Sequence, residues 1–318
     1  QNGYEVKQII NITDVGHLVS DDDEGEDKIE LGAKREGKSV EYIIGMYSDA
    51  FFADMDALNI NKASKYPRAT QYIDEQKALI ETLSDKGYTY TTTDGIYFDT
   101  QKFPRYADFA KLDVEGMKAG ARVAIGDKRS PTDFALWKFS PEDSANREQE
   151  WLSPLGLNKM GFPGWHVECS AIAMKELGET IDIHTGGIDH IPVHHTNEIA
   201  QSECATGKQF ARYWMHSAFM NVDGQKMSKS LGNTYRLSDL AVQGISPLGF
   251  RYWLLTANYR TQLNFTWEAV KSASDSFENL RKKIYQARNA PVSEYVSVDG
   301  NFEHATNDIN TPALIAQI

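Results

Sequence analysis

Ile181-Asp182-Ile183-His184-Thr185-Gly186-Gly187-Ile188-Asp189, with a stretch of helical character over roughly 193–205 behind it, is the part of the chain whose reading decides the fold. The first four residues read as a buried strand. Gly186 and Gly187 then allow a nucleotide to approach the backbone at the carboxyl end of a parallel strand, and a carboxylate such as Asp189 takes ribose hydroxyls or an amine there. Taken alone the motif is weak, because a Gly-Gly-x-Asp segment is usually just a turn.

Working outward, Phe134-Ala135-Leu136-Trp137-Lys138 reads as another buried strand, just after a change of character near Pro131. Residues 4–13 read as a strand rich in β-branched residues. Tyr88-Thr89-Tyr90-Thr91-Thr92 and Gly95-Ile96-Tyr97-Phe98-Asp99 read as a hairpin around Thr93-Asp94. Residues 28–58 and 69–86 carry helical periodicity, with Phe51, Phe52, Met55 and Leu58 expected to pack in a core. Residues 104–130 are charged and helical, then irregular, and the chain is mostly helical from Leu237 onward. The acidic run at 21–27 reads as a solvated loop. Strands alternating with helices predict an α/β fold with a parallel sheet, interrupted by an insertion from about 19 to 130.

The composition sets bounds. The chain has 318 residues, 41% hydrophobic and 25% charged, enough for two or three domains with a sizeable core. No apolar run approaches the length of a membrane span, and the polar opening Gln1-Asn2-Gly3 is not a signal peptide, so a cytoplasmic location and no membrane partner are expected. A formal net charge of −12 argues against indiscriminate nucleic-acid binding but leaves room for a local basic groove. Two cysteines, Cys169 and Cys204, imply no disulfide framework.

Five of the eight histidines, His166, His184, His190, His194 and His195, crowd into one window together with Cys169. His194 and Glu198 stand at i and i+4, so they share a helix face that Cys169 could approach from another element. Thiolate, imidazole and carboxylate are the ligand types zinc prefers. The ordinary alternative is a buried cysteine beside hydrogen-bonded histidines, and both readings stay open on spacing alone. Three protein ligands leave a vacancy for a fourth protein ligand or for a substrate atom. Cys204 lies far around the helix from His194 and Glu198 and reads as core.

Lys226-Met227-Ser228-Lys229-Ser230-Leu231-Gly232-Asn233 is a second concentration of chemistry. Two lysines flanking a small polar residue place two mobile point charges on one anion, which suits a loop that closes on a leaving pyrophosphate. A solvated basic loop is the plain alternative.

Together these strings resemble the cysteinyl-tRNA synthetases of class I, over essentially the whole chain. The 226–230 string is the class I signature loop. The segments 163–170, 182–189 and 192–202 are similar to the family's zinc and substrate segments. Further matches are Asn11-Ile12-Thr13-Asp14, Lys128-Arg129-Ser130-Pro131-Thr132-Asp133-Phe134 and Tyr213-Trp214-Met215-His216. The resemblance implies a Rossmann-like parallel-sheet catalytic domain, with 1–18 and 131–235 its two halves, 19–130 an α+β connective insertion, and 236–318 a helical stem-contact or linker region leading toward an anticodon-binding domain. It implies that Cys169, His194 and Glu198 hold one Zn2+ that binds the thiolate of substrate cysteine, and that Trp165 packs against that side chain. Thr13, His184, Gly186, Gly187 and Asp189 would line the cysteine and adenylate pocket. Lys226, Met227, Ser228, Lys229 and Ser230 would contact ATP, with Lys226, Ser228 and Lys229 catalytic. The implied partners are ATP with Mg2+, L-cysteine and tRNA(Cys), and a monomer is expected.

The sequence departs from the family at its ends. The family's first zinc cysteine and its His-Ile-Gly-His-like ATP loop normally precede the segment that opens this chain, and no His-x-Gly-His string occurs in it. The expectation is therefore an incomplete, inactive piece. Two alternatives are a cysteine ligase of mycothiol synthesis and a non-catalytic relative that binds cysteine or RNA.

Overall fold

The apolar run at Phe134 is buried almost throughout. In the computed structural model, which describes residues 3–15, 28–112, 127–141, 147–228, 230–289 and 303–316, it forms β3 (Phe134–Phe139). Beside it lie β1 (Thr89–Thr91), β2 (Gly95–Phe98), β4 (Trp151–Leu152) and β5 (Met160–Pro163), in the order β1-β2-β3-β5-β4. The hairpin expected around Thr93-Asp94 is present, with Thr89 opposite Phe98 and Thr91 opposite Ile96. β2 continues the sheet by pairing with β3. The pairings of this largest sheet are all antiparallel. Parallel pairing occurs elsewhere, at the bridges Ile9 to Lys65 and Ile12 to Arg68 and between β8 (Met220–Val222) and β10 (Leu263–Phe265). The α/β class holds.

The chain divides into two compact units: residues 1–50, 62–185 and 189–215 form one, and 51–61, 186–188 and 216–318 the other. In the first, the sheet packs against α3 (Ile73–Asp85), α4 (Trp165–Leu177) and α5 (Thr196–Thr206). Ile96, Phe98, Phe134 and Leu136 of the sheet join Leu79, Ile80 and Leu83 of α3, Val167 and Ala171 of α4, and Ala200 and Cys204 of α5 in one core. Cys204 is buried as expected, and burial pushes its thiol up to about 11. Two further helices precede these, α1 (Lys28–Glu36) and α2 (Val40–Ala57). In the second unit, β8, β9 (Gln225–Lys226) and β10 cover α6 (Leu237–Val242), α7 (Pro247–Leu255) and α8 (Trp267–Arg288) around Val222, Leu240, Ile245, Trp253, Phe265 and Val270. Two short helices, α9 (Glu303–Thr306) and α10 (Thr311–Ala316), follow.

Three expectations are corrected. Residues 4–13 do not form a regular strand: only Ile9 and Ile12 bridge, and Pro67 in the facing segment has no N–H to return to a ladder. The apolar positions late in α2 are not core. Phe51 is exposed, Phe52, Met55 and Leu58 are half-buried, and the buried face of the helix is at its start, Val40, Ile43 and Ile44. In β6 (Ile181–Gly187), paired with β7 (Ala211–Ser217), Ile181 is buried in a cluster with Phe210 and Ala211, but Ile183 lies outside that cluster and is exposed. The acidic run at 21–27, most of the irregular segment before 130, and Lys229 lie outside the described residues. No described helix is long and apolar enough to cross a membrane.

Candidate metal and substrate site

The site begins where β5 turns into α4. Gly164 is the N-cap, with extended backbone, and a Cβ there would sit 2.1 Å from the carbonyl oxygen of Ala135 on β3. Only glycine lets the helix start this close to the sheet. Trp165 and His166 occupy the first turn of α4, and Cys169 comes one turn later, on the face of Trp165. On the opposite element, a single π-type turn, Ile191–His195, leads into α5. Such turns are frequent at functional sites because they re-aim side chains within a helical run. Here His194 and His195 both turn inward and are buried.

A buried polar stitch fixes how α4 and α5 meet. Gln201 on α5 donates to the carbonyl oxygen of His166 at 2.5 Å and to Ser170 Oγ at 2.7 Å, and Ser202 Oγ donates to Ser170 Oγ at 3.0 Å. The result brings together one donor atom each from Cys169, His194 and Glu198, all within 4.8 Å of one another. A second trio, His184, His195 and Glu198, meets the same limit. Both share the Glu198 carboxylate, so they are two sides of one site.

Glu198 is wholly buried and ringed by imidazoles. His184 Nε2 lies 3.0 and 3.1 Å from its two oxygens, His194 Nε2 3.6 Å and His195 Nε2 3.8 Å from Oε2. Burial would push this carboxyl up, but His184 and His194 overcome that and hold it below the usual range. Burial likewise lowers His184, and the Glu198 carboxylate more than reverses the effect, leaving His184 raised. His194 and His166 are pushed down to about 3, chiefly by burial, so both stay neutral. The Cys169 thiol is raised well above its ordinary value by burial and then by the Glu198 charge, while the Asn11 side chain hydrogen-bonds to it. A thiol, a neutral imidazole and a carboxylate converging in a buried space suit a borderline-soft cation such as zinc. The donor set fits.

All five histidines of the crowded window join one chain of ring contacts. Centroids are 5.0 Å apart for His166–His194, 5.1 Å for His190–His194 and His190–His195, and 4.7 Å for His184–His195. Trp165 lies over His194 at 4.5 Å. Trp214 on β7 packs on His184 at 4.8 Å and on His195 at 4.9 Å. Asp189 is exposed in the turn after β6, which ends in Gly186 and Gly187. Thr13 is half-buried, two residues beyond Asn11. Sequence reasoning assigned no role to Asn11, Trp214 or Gln201. Each sat inside a string read for its neighbours, and only the packing reveals what it touches.

In the second unit, Lys226 ends β9 and is exposed, Met227 packs partly against the core, and Ser228 Oγ lies 3.2 Å from Ser230 Oγ. The turn between β8 and β9 is Asp223-Gly224, both with positive φ (48° and 76°), the two-residue hairpin such a pair specifies. The Asp-Gly pair is the sequence signal for this turn.

A family model described as the class I (C) tRNA synthetase catalytic domain matches residues 1–275. Among similar proteins, cysteine–tRNA ligase 1 of Burkholderia lata is 54% identical over 282 residues, covering 88% of this chain and 59% of that protein. The cysteine–tRNA ligase of Treponema denticola is 45% identical over 304 residues, covering 94% and 61%. The chain thus spans less than two thirds of the length of these relatives. Methionyl-tRNA synthetase of Mycobacterium tuberculosis, solved with methionyl-adenylate, superposes with a TM-score of 0.70 at 15% identity, over 99% of this chain and 74% of that one. At that identity the likeness is one of fold.

Proposed function

The chain belongs to the class I tRNA synthetases whose catalytic-domain model it matches, and on that premise we propose that it serves cysteine–tRNA ligation: ATP-dependent activation of L-cysteine and transfer of the cysteinyl group to tRNA(Cys). The observation that carries this reading is the meeting of Cys169, His194 and Glu198 donor atoms within 4.8 Å. These three would hold zinc. The chemistry zinc supplies when bound there is soft Lewis acidity, which favours a thiolate over the hydroxyl of serine. A site built on such a contact rejects the isostere by roughly 10⁴-fold without editing.

The remaining work falls to the chain's own residues. His184 holds the Glu198 carboxylate by both oxygens and so fixes its orientation. Trp165 and Trp214 wall the cluster. Asp189, Gly186 and Gly187, at the end of β6, would receive the adenylate. The cysteine carboxylate would attack the α-phosphate of Mg-ATP in line, and Lys226 with Lys229 would offset the charge gathering on pyrophosphate, with Ser228 beside them.

The test is cysteine-dependent ATP–pyrophosphate exchange by the full-length gene product, together with zinc analysis of the purified chain. We expect about one zinc per chain, lost in C169A and H194A, and exchange with cysteine but not serine. Absence of stoichiometric zinc, or equal exchange with serine, refutes the reading. Charging assays with tRNA(Cys) and with an amino-sugar acceptor separate tRNA ligation from mycothiol-type chemistry.

A further inference from the structure

The first turn of α5 is pinned by a side chain from outside the metal cluster. Tyr106 lies in the turns between β2 and β3 and is buried in the same core as Ala200 and Cys204 of α5. Its Oη donates to Asn197 Oδ1 at 2.5 Å and lies 3.3 Å from the carbonyl oxygen of Thr132. A hydroxyl has one proton to give, and the shorter contact takes it. Asn197 is only 1% exposed, so loss of this donor would leave a buried acceptor unmet.

Asn197 immediately precedes Glu198. Neighbours on a helix point about 100° apart, so Asn197 reaches Tyr106 while Glu198 faces the imidazoles. The stitch from Gln201 to α4 holds the next turn of α5. Thr196 Oγ1 donates to the Ile191 carbonyl oxygen at 2.6 Å and closes the π-type turn that aims His194 and His195. That bond is internal to the run 191–196 and cannot set its rotation against the rest of the protein, whereas the bond from Tyr106 can. Two further contacts come from the same stretch. Arg105 pairs with Glu203 at 3.2 Å, but the arginine is largely exposed and the pair contributes little. Phe109 packs on Trp214 at 4.8 Å, and Trp214 in turn packs on His184 and His195.

We propose that Tyr106 is a positioning residue for the Glu198 carboxylate: through Asn197 it fixes the rotation of the first turn of α5, and so sets Glu198 against Cys169 and His194. This rests on the reading of Cys169, His194 and Glu198 as zinc ligands. Tyr106 touches neither metal nor substrate. It acts two residues removed, as the outer hydrogen-bond partners of a metal site do when they orient its ligands.

The experiment compares wild type, Y106F, N197A, the double variant, C169A and Y72F in the full-length gene product, with melting curves to confirm folding. Y72F is the matched control: it removes another hydroxyl of the same compact unit, one bonded to Lys65 at 2.7 Å and to Glu176, with no link to α5. Zinc affinity, read by competition against a chromophoric chelator, should fall about tenfold in Y106F and stay unchanged in Y72F. The double variant should bind zinc no more weakly than N197A, because both changes break one bond. In pyrophosphate exchange the KM for cysteine should rise in Y106F while the KM for ATP holds. If N197A does not fold, Y106F against Y72F decides alone. Wild-type zinc affinity in Y106F while C169A loses zinc, or equal weakening in Y106F and Y72F, would overturn the inference by itself. If wild type holds no stoichiometric zinc, or C169A keeps it, the metal reading fails and takes the inference with it.

Discussion

His166 Nδ1 and His194 Nδ1 meet at 2.9 Å inside the protein, the first on α4 and the second in the π-type turn before α5. One of the two nitrogens must carry the shared proton. With that proton on His194, its Nε2 presents a lone pair toward Glu198 Oε2, 3.6 Å away, an arrangement a cation resolves and an empty space does not. His166 acts on the proposed metal through His194. H166Q and H166F should therefore leave the fold intact and weaken zinc affinity roughly 10- to 100-fold. Competition against a chromophoric chelator measures this. Unchanged affinity in both variants would remove His166 from the site.

Gly164 and Gly45 make a matched pair. A Cβ at Gly164 meets the Ala135 carbonyl oxygen at 2.1 Å, whereas one at Gly45, inside α2, meets nothing within 4 Å. G164A should cost about 1–3 kcal/mol by overpacking and displace the start of α4, so zinc affinity should fall with stability. G45A should stabilise by about 0.5–1 kcal/mol through helix propensity. Urea titration of both variants gives the comparison, and a neutral G164A would contradict the close approach.

Asp133 is a buried hub. It accepts from Tyr90 Oη (2.8 Å), from Thr100 N–H and Oγ1 (2.9 and 2.7 Å) and from Ser130 N–H (2.9 Å), and so ties the β1–β2 hairpin to the segment before β3. Removing the carboxylate strands two backbone donors. D133A should lose about 3 kcal/mol or more, and D133N less, since it keeps one acceptor. Denaturant midpoints at constant slope decide it. A D133A loss below about 1 kcal/mol would show the hub to be replaceable by water.

The buried imidazoles give the metal-free protein a pH dependence near neutrality. His166 and His194, pushed down to about 3, stay neutral in the folded chain but take up protons in the unfolded chain below pH ~6.5. Their contribution is therefore lost as pH falls through that value. At pH 5.5 the loss is roughly 1.4 kcal/mol for each. His184, raised by Glu198, works in the opposite sense: its contribution is present below pH ~6.5 and is lost as pH rises through its folded value. Chelator-treated protein should melt lower at pH 5.5 than at 7.5, and H184N should melt lower still at 5.5 relative to wild type. A flat profile in wild type would contradict the burial of the two neutral rings.

Much of the site was legible because much of it is local. The i, i+4 spacing of His194 and Glu198 survives the π-type turn between them, and the hairpin at 89–98 follows from alternation and a short polar turn. What local pattern misjudged was cover. Phe51 and Ile183 carry the residue types of a core and are exposed, because burial depends on which neighbours arrive and not on the residue itself.

The sequence by itself determined the donor chemistry, the helix face that carries His194 and Glu198, and the family to which the residue strings point. Only the tertiary structure decided that Cys169 reaches that face, that His184 grips Glu198, and that Tyr106 reaches Asn197. The physical reason is range. Spacing within one turn of helix is fixed by backbone geometry, whereas the approach of α4 to α5 is fixed by buried hydrogen bonds among Gln201, Ser170, Ser202 and the His166 carbonyl, partners separated by more than thirty positions in the chain.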